Sequence, residues 1–319
     1  MRLWDTLKHT QVAVLEGHTN NIADITWSQD SQLLMTGSFD KTVKVWRPET
    51  AELDWSHTLD GLVHSVAFHS TDANFVLAST SKKKIHGIDR RGGEDSTYSL
   101  ANDSIVNSIL MDGDNLLITG DSSGVIKTWD LRMREVIDTV MNEEFGRPIS
   151  HIALSPWLPI SSAEAYDDNA RCLAVNSYDN VLRVYDRTDD QPPSLKRVQA
   201  LTGQTAKNWP VRCAFFRDAV ASSVAVGDEL EGPSGGGNSA SSNALGSRQG
   251  AALLLASGSA DSVVRLFDVG SGLNSNKLFQ KLEGHTDRVY AVDFHPEQAM
   301  LASGSADATI RIWARKRAR

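Results

Sequence analysis

The sequence predicts an all-β chain built from repeated sheet units that close into a ring. Three observations carry this. Short β-branched or aliphatic runs such as TVKVW, LLITG, VLRVY and LLLASGS alternate with turn clusters such as SFDK, DSSG and SYDN, the signature of short strands joined by tight turns. The chain has 23 Gly and 8 Trp against only 9 Pro, which favours many turns over disorder. Residues 15–47, LEGHTNNIADITWSQDSQLLMTGSFDKTVKVWR, are echoed by residues 282–314, LEGHTDRVYAVDFHPEQAMLASGSADATIRIWA.

The echo has fixed internal spacing. A Gly-His pair precedes a Trp by the same distance in both copies, His18 to Trp46 and His285 to Trp313. An Asp stands six before each Trp (Asp40, Asp307), and a hydroxyl four before each Asp (Thr36, Ser303). Weaker copies end in IHGID at 85–89, IKTWD at 126–130, LRVYD at 182–186 and VRLFD at 264–268. Closing positions at Trp46, Ile88, Trp129, Tyr185, Phe267 and Trp313 are separated by 42, 41, 56, 82 and 46 residues. The third and fourth steps therefore carry insertions.

This pattern resembles the WD40-repeat β-propeller family, whose repeats open with Gly-His, close with Trp-Asp and recur every 40–45 residues or so. The resemblance covers nearly the whole chain and is most specific in the two strong repeats. It implies one four-stranded blade per repeat, stacked in a ring because a blade cannot bury both faces alone. It also implies two hydrogen-bonded tetrads, His18–Thr36–Asp40–Trp46 and His285–Ser303–Asp307–Trp313. Polar satisfaction explains them, since a partly buried imidazole and an indole N–H each need a partner. The same residue types could form a catalytic triad. A set that recurs from blade to blade argues for structure instead. In the middle repeats Lys82 and Ser123 replace the Asp, and Asp60-Gly61 stands where Gly-His would, so those blades are expected to be less rigid.

At about 100–200 residues per domain, 319 residues fit one propeller domain over 1–319. Its expected parts are a remnant strand at 1–5, a candidate ring-closing strand at 11–15, and blades at 16–50, 52–91 (degenerate), 95–132, 135–187, 195–269 and 278–315. A basic tail occupies 315–319. An insertion at 156–170 brings Trp157, Leu158 and Ile160 into a loop, where packing is the favoured role. Residues 219–250, rich in Ser, Gly and Ala, read as a flexible loop within one blade. Two closures are open. Residues 11–15 could complete a six-bladed ring, or MRLWD could be the remnant of a seventh repeat; its likeness to a closing strand favours the second.

Chemistry is harder to find. No phosphate-cradling Gly-rich loop or His-Glu-x-x-His is present. His64 and His69 flank a strand at odd spacing and so point to opposite faces, which argues against a shared metal. His151 has no carboxylate at local spacing. Cys172 and Cys213, the only cysteines, are far apart and lie in strand-like runs, as buried structural thiols do. The reading is not an enzyme, with no catalytic, cofactor-binding or metal-binding residues and no small-molecule substrate. The formal charge of −8 argues against direct nucleic-acid binding. Lys82–Lys84 and the terminal ARKRAR remain as local basic runs, read as solvated. No apolar run is long enough to span a membrane and no signal peptide is visible, so the expected location is intracellular, nuclear or cytoplasmic.

The resemblance implies an interaction scaffold in a multiprotein complex. Family contact positions fall on Asn21, Ala23 and Phe39 in the first repeat, and on Arg288, Tyr290 and Ala306 in the last. Of these, Asn21, Phe39, Arg288 and Tyr290 are the candidate partner-binding residues, with Phe39 read as exposed in a polar turn. An alternative comes from Trp129-Asp130-Leu131-Arg132. It matches the Trp-Asp-x-Arg box of WD-repeat substrate receptors of cullin-RING ubiquitin ligases, where the Arg would pair with an acidic adaptor site.

Overall fold

A computed structural model describes residues 1–92, 96–155, 171–187, 194–206, 209–218, 252–269 and 277–314. The readings made of the insertion at 156–170, of loop 219–250 and of the tail at 315–319 lie outside the described residues. The described chain forms 25 strands and no helix. Two strands come first, β1 (Arg2–Asp5) and β2 (Thr10–Val14). Blade one follows as β3 (Ile22–Trp27), β4 (Leu34–Ser38), β5 (Thr42–Arg47) and β6 (Glu52–Thr58). Blade two is β7 (Val63–Phe68), β8 (Phe75–Thr80), β9 (Lys84–Asp89) and β10 (Thr97–Ala101). Blade three is β11 (Val106–Asp112), β12 (Leu116–Asp121), β13 (Val125–Asp130) and β14 (Glu135–Met141). Blade four is β15 (Ile149–Leu154), β16 (Arg171–Ser177), β17 (Leu182–Arg187) and β18 (Leu195–Leu201). Blade five is β19 (Cys213–Asp218), β20 (Ala252–Ser257), β21 (Val264–Asp268) and β22 (Lys277–Leu282). Blade six has three strands, β23 (Val289–Phe294), β24 (Met300–Ser305) and β25 (Ile310–Ala314).

Each blade is an antiparallel meander whose strands pair in chain order. Its outermost strand is drawn from the start of the next repeat: β6, within the degenerate blade read at 52–91, pairs with β5. Sheets are thus offset by one strand from the repeats, and each linker ties neighbouring blades covalently. β2, which takes in most of the candidate ring-closing segment 11–15, pairs with Arg2–Asp5 and not with β25, which pairs only with β24 among the described residues. The two insertions join paired strands: Leu154 faces Leu173, and Asp218 faces Ala252.

One turn recurs at all six second-to-third-strand junctions. Its last residue has a left-handed backbone: Lys41 (φ 70°), Lys83 (59°), Gly124 (76°), Asn180 (65°), Ser262 (67°) and Ala308 (61°). Five of the six are not Gly, so residue type alone conceals the repeat that the backbone displays.

The core lies between blades. Met35 and Val45 of blade one pack with Val63, Val66 and Phe68 of blade two. Leu77 and Ile85 pack with Ile109 and Trp129 of blade three, and Ile118 with Ile149 and Tyr185 of blade four. Such residues contribute about 1.5–3 kcal/mol each on burial. The glycine of the second strand makes this approach close: a Cβ on Gly37 would sit 2.6 Å from Val63, and one on Gly120 2.6 Å from Ile149.

Inner strands are also laced by hydrogen bonds from their third residue to the next blade. Asp24 accepts from Ser65 Oγ (2.6 Å) and Val66 N (2.9 Å). Ser65 Oγ accepts from Ile109 N, and Ser108 Oγ from Ile152 N, both at 3.2 Å. His151 Nδ1 accepts from Cys213 N at 3.3 Å. Blade six offers Ala291 at this position, and Arg212 reaches past it to Asp24 Oδ1 (2.6 Å) and Ala23 O (2.9 Å).

Candidate functional site

The two sets of tetrad residues come together at nearly identical distances. His18 Nδ1 is 2.8 Å from Asp40 Oδ2, His18 Nε2 is 2.7 Å from Thr36 Oγ1, and Trp46 Nε1 donates to Thr36 Oγ1 at 2.9 Å. In blade six the corresponding contacts of His285, Asp307, Ser303 and Trp313 are all 2.8 Å. With the imidazole proton on Nδ1, an assignment made from the network, Trp donates to the hydroxyl, the hydroxyl to His and His to Asp. Burial pushes the Asp40 carboxyl up, but hydrogen bonds from Thr42, His18 and the amides of Thr19 and Thr42 outweigh it and hold it well below the usual range. Thr309 leads the bonds that lower Asp307. Thr36 and Ser303 are buried, so neither hydroxyl can reach a substrate as a nucleophile.

The middle blades fill the vacated roles with other chemistry. Asn102 stands at the His position of blade three, donating to Asp121 at 3.1 Å and accepting from Lys127 at 2.8 Å. In blades four and five an Arg two before the aromatic takes the turn Asp: Arg183 with Asp179 (2.6 Å) and Arg265 with Asp261 (2.5 Å). Arg at that offset is the signal in the sequence that could have revealed this.

The candidate partner residues divide into two groups around the ring. Arg288 and Tyr290 meet a residue that sequence reasoning missed, Trp209. The Arg288 guanidinium lies 4.2 Å over the Trp209 ring and 5.9 Å from that of Tyr290, and the two rings meet edge to face at 5.8 Å. Trp209 remains exposed while Arg288 and Tyr290 are half-buried. Phe39, expected exposed, is half-buried because it packs edge-on against His64 at 5.7 Å. Asn21 is exposed, Ala23 half-buried and Ala306 exposed.

Trp129 is buried, and its Nε1 donates to Thr119 at 3.1 Å. Arg132 folds back on Asp130, with Nη2 on Oδ2 at 2.8 Å and its amide on Oδ1 at 2.8 Å. The Arg132 bond holds Asp130 down at about 2. Asp89 and Arg91 make the same paired contact in blade two, at 2.9 Å twice, without a Trp. The Asp-x-Arg geometry therefore recurs in two blades of this chain.

The remaining groups carry little reactivity. Burial drives Cys213 up to about 12 and Cys172 to about 11, and both are free thiols. Burial, then the charge of Arg212, drives His151 down to about 3. Lys84 is paired with Asp60 at 2.9 Å. Among the described residues no group of three His, Cys, Asp or Glu could hold a metal ion, and no helix is long and apolar enough to cross a membrane.

Comparison with known proteins agrees with this architecture. The WD domain, G-beta repeat model matches residues 9–47 and 276–314. Mouse (Mus musculus) Jouberin is 30% identical over 53% of this chain, a match that spans only 17% of Jouberin's own length. The WD repeat domain-containing protein 83 homolog of Dictyostelium discoideum is 22% identical over 94% of this chain and 96% of its own. The crystal structure of the Myceliophteria thermophila Cps50 (Swd1) β-propeller domain superposes with a TM-score of 0.71 over 98% of this chain and 88% of that one, at 17% identity, a likeness of fold. The matched repeats and the ring of blades show a β-propeller that carries WD40 repeats at 9–47 and 276–314 and is similar to WD40-repeat proteins.

Proposed function

We propose that the protein is a non-enzymatic scaffold of a multiprotein complex that holds its partners on the propeller faces. The observation that carries this reading is the Trp209–Arg288–Tyr290 cluster. Trp, Tyr and Arg are the side chains that dominate interface energetics, and here they are pre-stacked on one another. Such packing lowers the ordering cost of binding. The partners are proteins, and the protein works inside the cell, in nucleus or cytoplasm. WD40 relatives over much or all of the chain support an interaction role. The ligase-receptor alternative rests on the Trp129-Asp130-Leu131-Arg132 box, whose Arg132 is held by Asp130.

The test is affinity purification with mass spectrometry on the full chain, on Trp209→Ala and on Arg132→Asp. A scaffold loses partners with Trp209→Ala and keeps them with Arg132→Asp. Recovery of a cullin-RING adaptor that Arg132→Asp abolishes would replace this reading with the receptor one.

A further inference from the structure

The arginines of the ring differ in how they spend their donors. Arg132, Arg183 and Arg265 each give an Nη to the carboxylate of a nearby Asp, at 2.8, 2.6 and 2.5 Å. Arg212 gives Nη2 to Asp24 and to Ala23 O. Arg288 gives only its Nε and its amide, both to Asp287 Oδ1, at 3.1 and 2.7 Å. Among the described residues neither Nη of Arg288 has a hydrogen-bond partner. The guanidinium is nonetheless held in place, by the Trp209 ring 4.2 Å away and by Asp287 on its Nε side. It is a planar fork kept in one orientation with its two end donors unspent. The adjoining turn leaves it uncovered. Phe39 N donates to Asn21 O and Ala306 N to Arg288 O, both at 2.9 Å, so Ala306 stands to Arg288 as Phe39 stands to Asn21. Phe39 carries a ring across to His64, whereas Ala306 is exposed and offers only a methyl.

We propose that Arg288 receives a glutamate side chain of the protein partner, with the carboxylate on its two Nη donors and the apolar stem along Trp209 and Ala306. This rests on the reading of the Trp209–Arg288–Tyr290 cluster as a partner site and names the group that the site recognises. A carboxylate accepts two parallel N–H bonds from a guanidinium fork. A glutamine cannot do the same, because its NH₂ would face one of the two donors. A phosphate is disfavoured for a different reason: its second negative charge would lie beside Asp287. Asp287 also balances the charge of Arg288, so recognition comes from the geometry of the fork and not from a broad positive field. The apolar surroundings favour glutamate over aspartate. Trp209 and Pro210 are exposed and Tyr290 is half-buried, and the longer stem covers more of that surface.

The experiment uses the full chain and pools of short capped peptides with random flanks and a fixed central Glu, Gln, Asp or phosphoserine. The Glu pool should be retained over the Gln pool by at least about fivefold. Arg288→Gln should abolish that preference, and Arg288→Lys, which keeps the charge but has no fork, should lose most of it. Ala306→Phe should lower it as well by laying a ring over an intact Arg288; melting curves of all three variants separate lost recognition from lost fold. Equal retention of the Glu and Gln pools, including none of either, overturns the proposal. So does a full preference in Arg288→Lys, or a phosphoserine pool retained above the Glu pool. The scaffold reading is judged separately, by whether Trp209→Ala loses its partners in affinity purification.

Discussion

The tetrads of blades one and six share their internal distances but not their surroundings. Trp46 is buried between β4 and the strands packed on it, whereas Trp313, bonded in the same way, is half-buried. Blade one has a fourth strand and a neighbour pressed against its second strand; among the described residues blade six has no strand outside β25, and a Cβ on Gly304 would meet nothing within 4 Å. The tetrad therefore fixes the local geometry of a blade, and the neighbouring blade supplies the burial. The middle blades make the same point from the other side. They have lost the His–Asp pair, and their closing residues Ile88, Trp129, Tyr185 and Phe267 are still buried.

The comparison can be broken most forcefully at the closing Trp. Trp46→Ala should cost about 3–5 kcal/mol in denaturant unfolding, and Trp313→Ala less than about half as much. Equal losses would mean that the indole hydrogen bond, common to both, outweighs burial. A finer cut is at the paired glycines. Gly37→Ala drives a methyl against Val63 and Val66 and should cost about 1–3 kcal/mol, while Gly304→Ala should change stability by no more than about 0.5 kcal/mol. The mildest perturbation is one of pH. Burial lowers His18, and its bonded partner Asp40 is also lowered, so on acidification the unfolded chain takes up protons before the folded one. Stability should fall below about pH 6.5 and fall further through the carboxylate range, by up to about 1.4 kcal/mol per pH unit for each group. His18→Gln should flatten the upper part of that fall in melting curves taken from pH 7 to 4.

Much of this was legible in the sequence because the tetrads are set by spacing within one repeat. His18 to Trp46 lies inside a single blade's meander, so local register carries the information. What depends on the ring was not legible. Trp209 lies far in sequence from Arg288 and Tyr290 and joins them only when blades five and six are side by side. Phe39 looks exposed until blade two brings His64 against it. The offset of the outermost strand was hidden for the same reason: β6 reads as the opening of a repeat and pairs as the end of the blade before it.

The lacing of the inner strands has a consequence for how the ring assembles. Its links from Asp24 to Val66, Ser65 to Ile109, Ser108 to Ile152 and His151 to Cys213 span 42, 44, 44 and 62 residues, whereas Arg212 to Ala23 spans 189. Loop closure costs grow with span, so the short links can form in sequence, each blade templating the next as in other repeat proteins. The arginine latch comes last. One guanidinium thus ties the fifth blade to the first across the ring, the contact of longest span in the lacing.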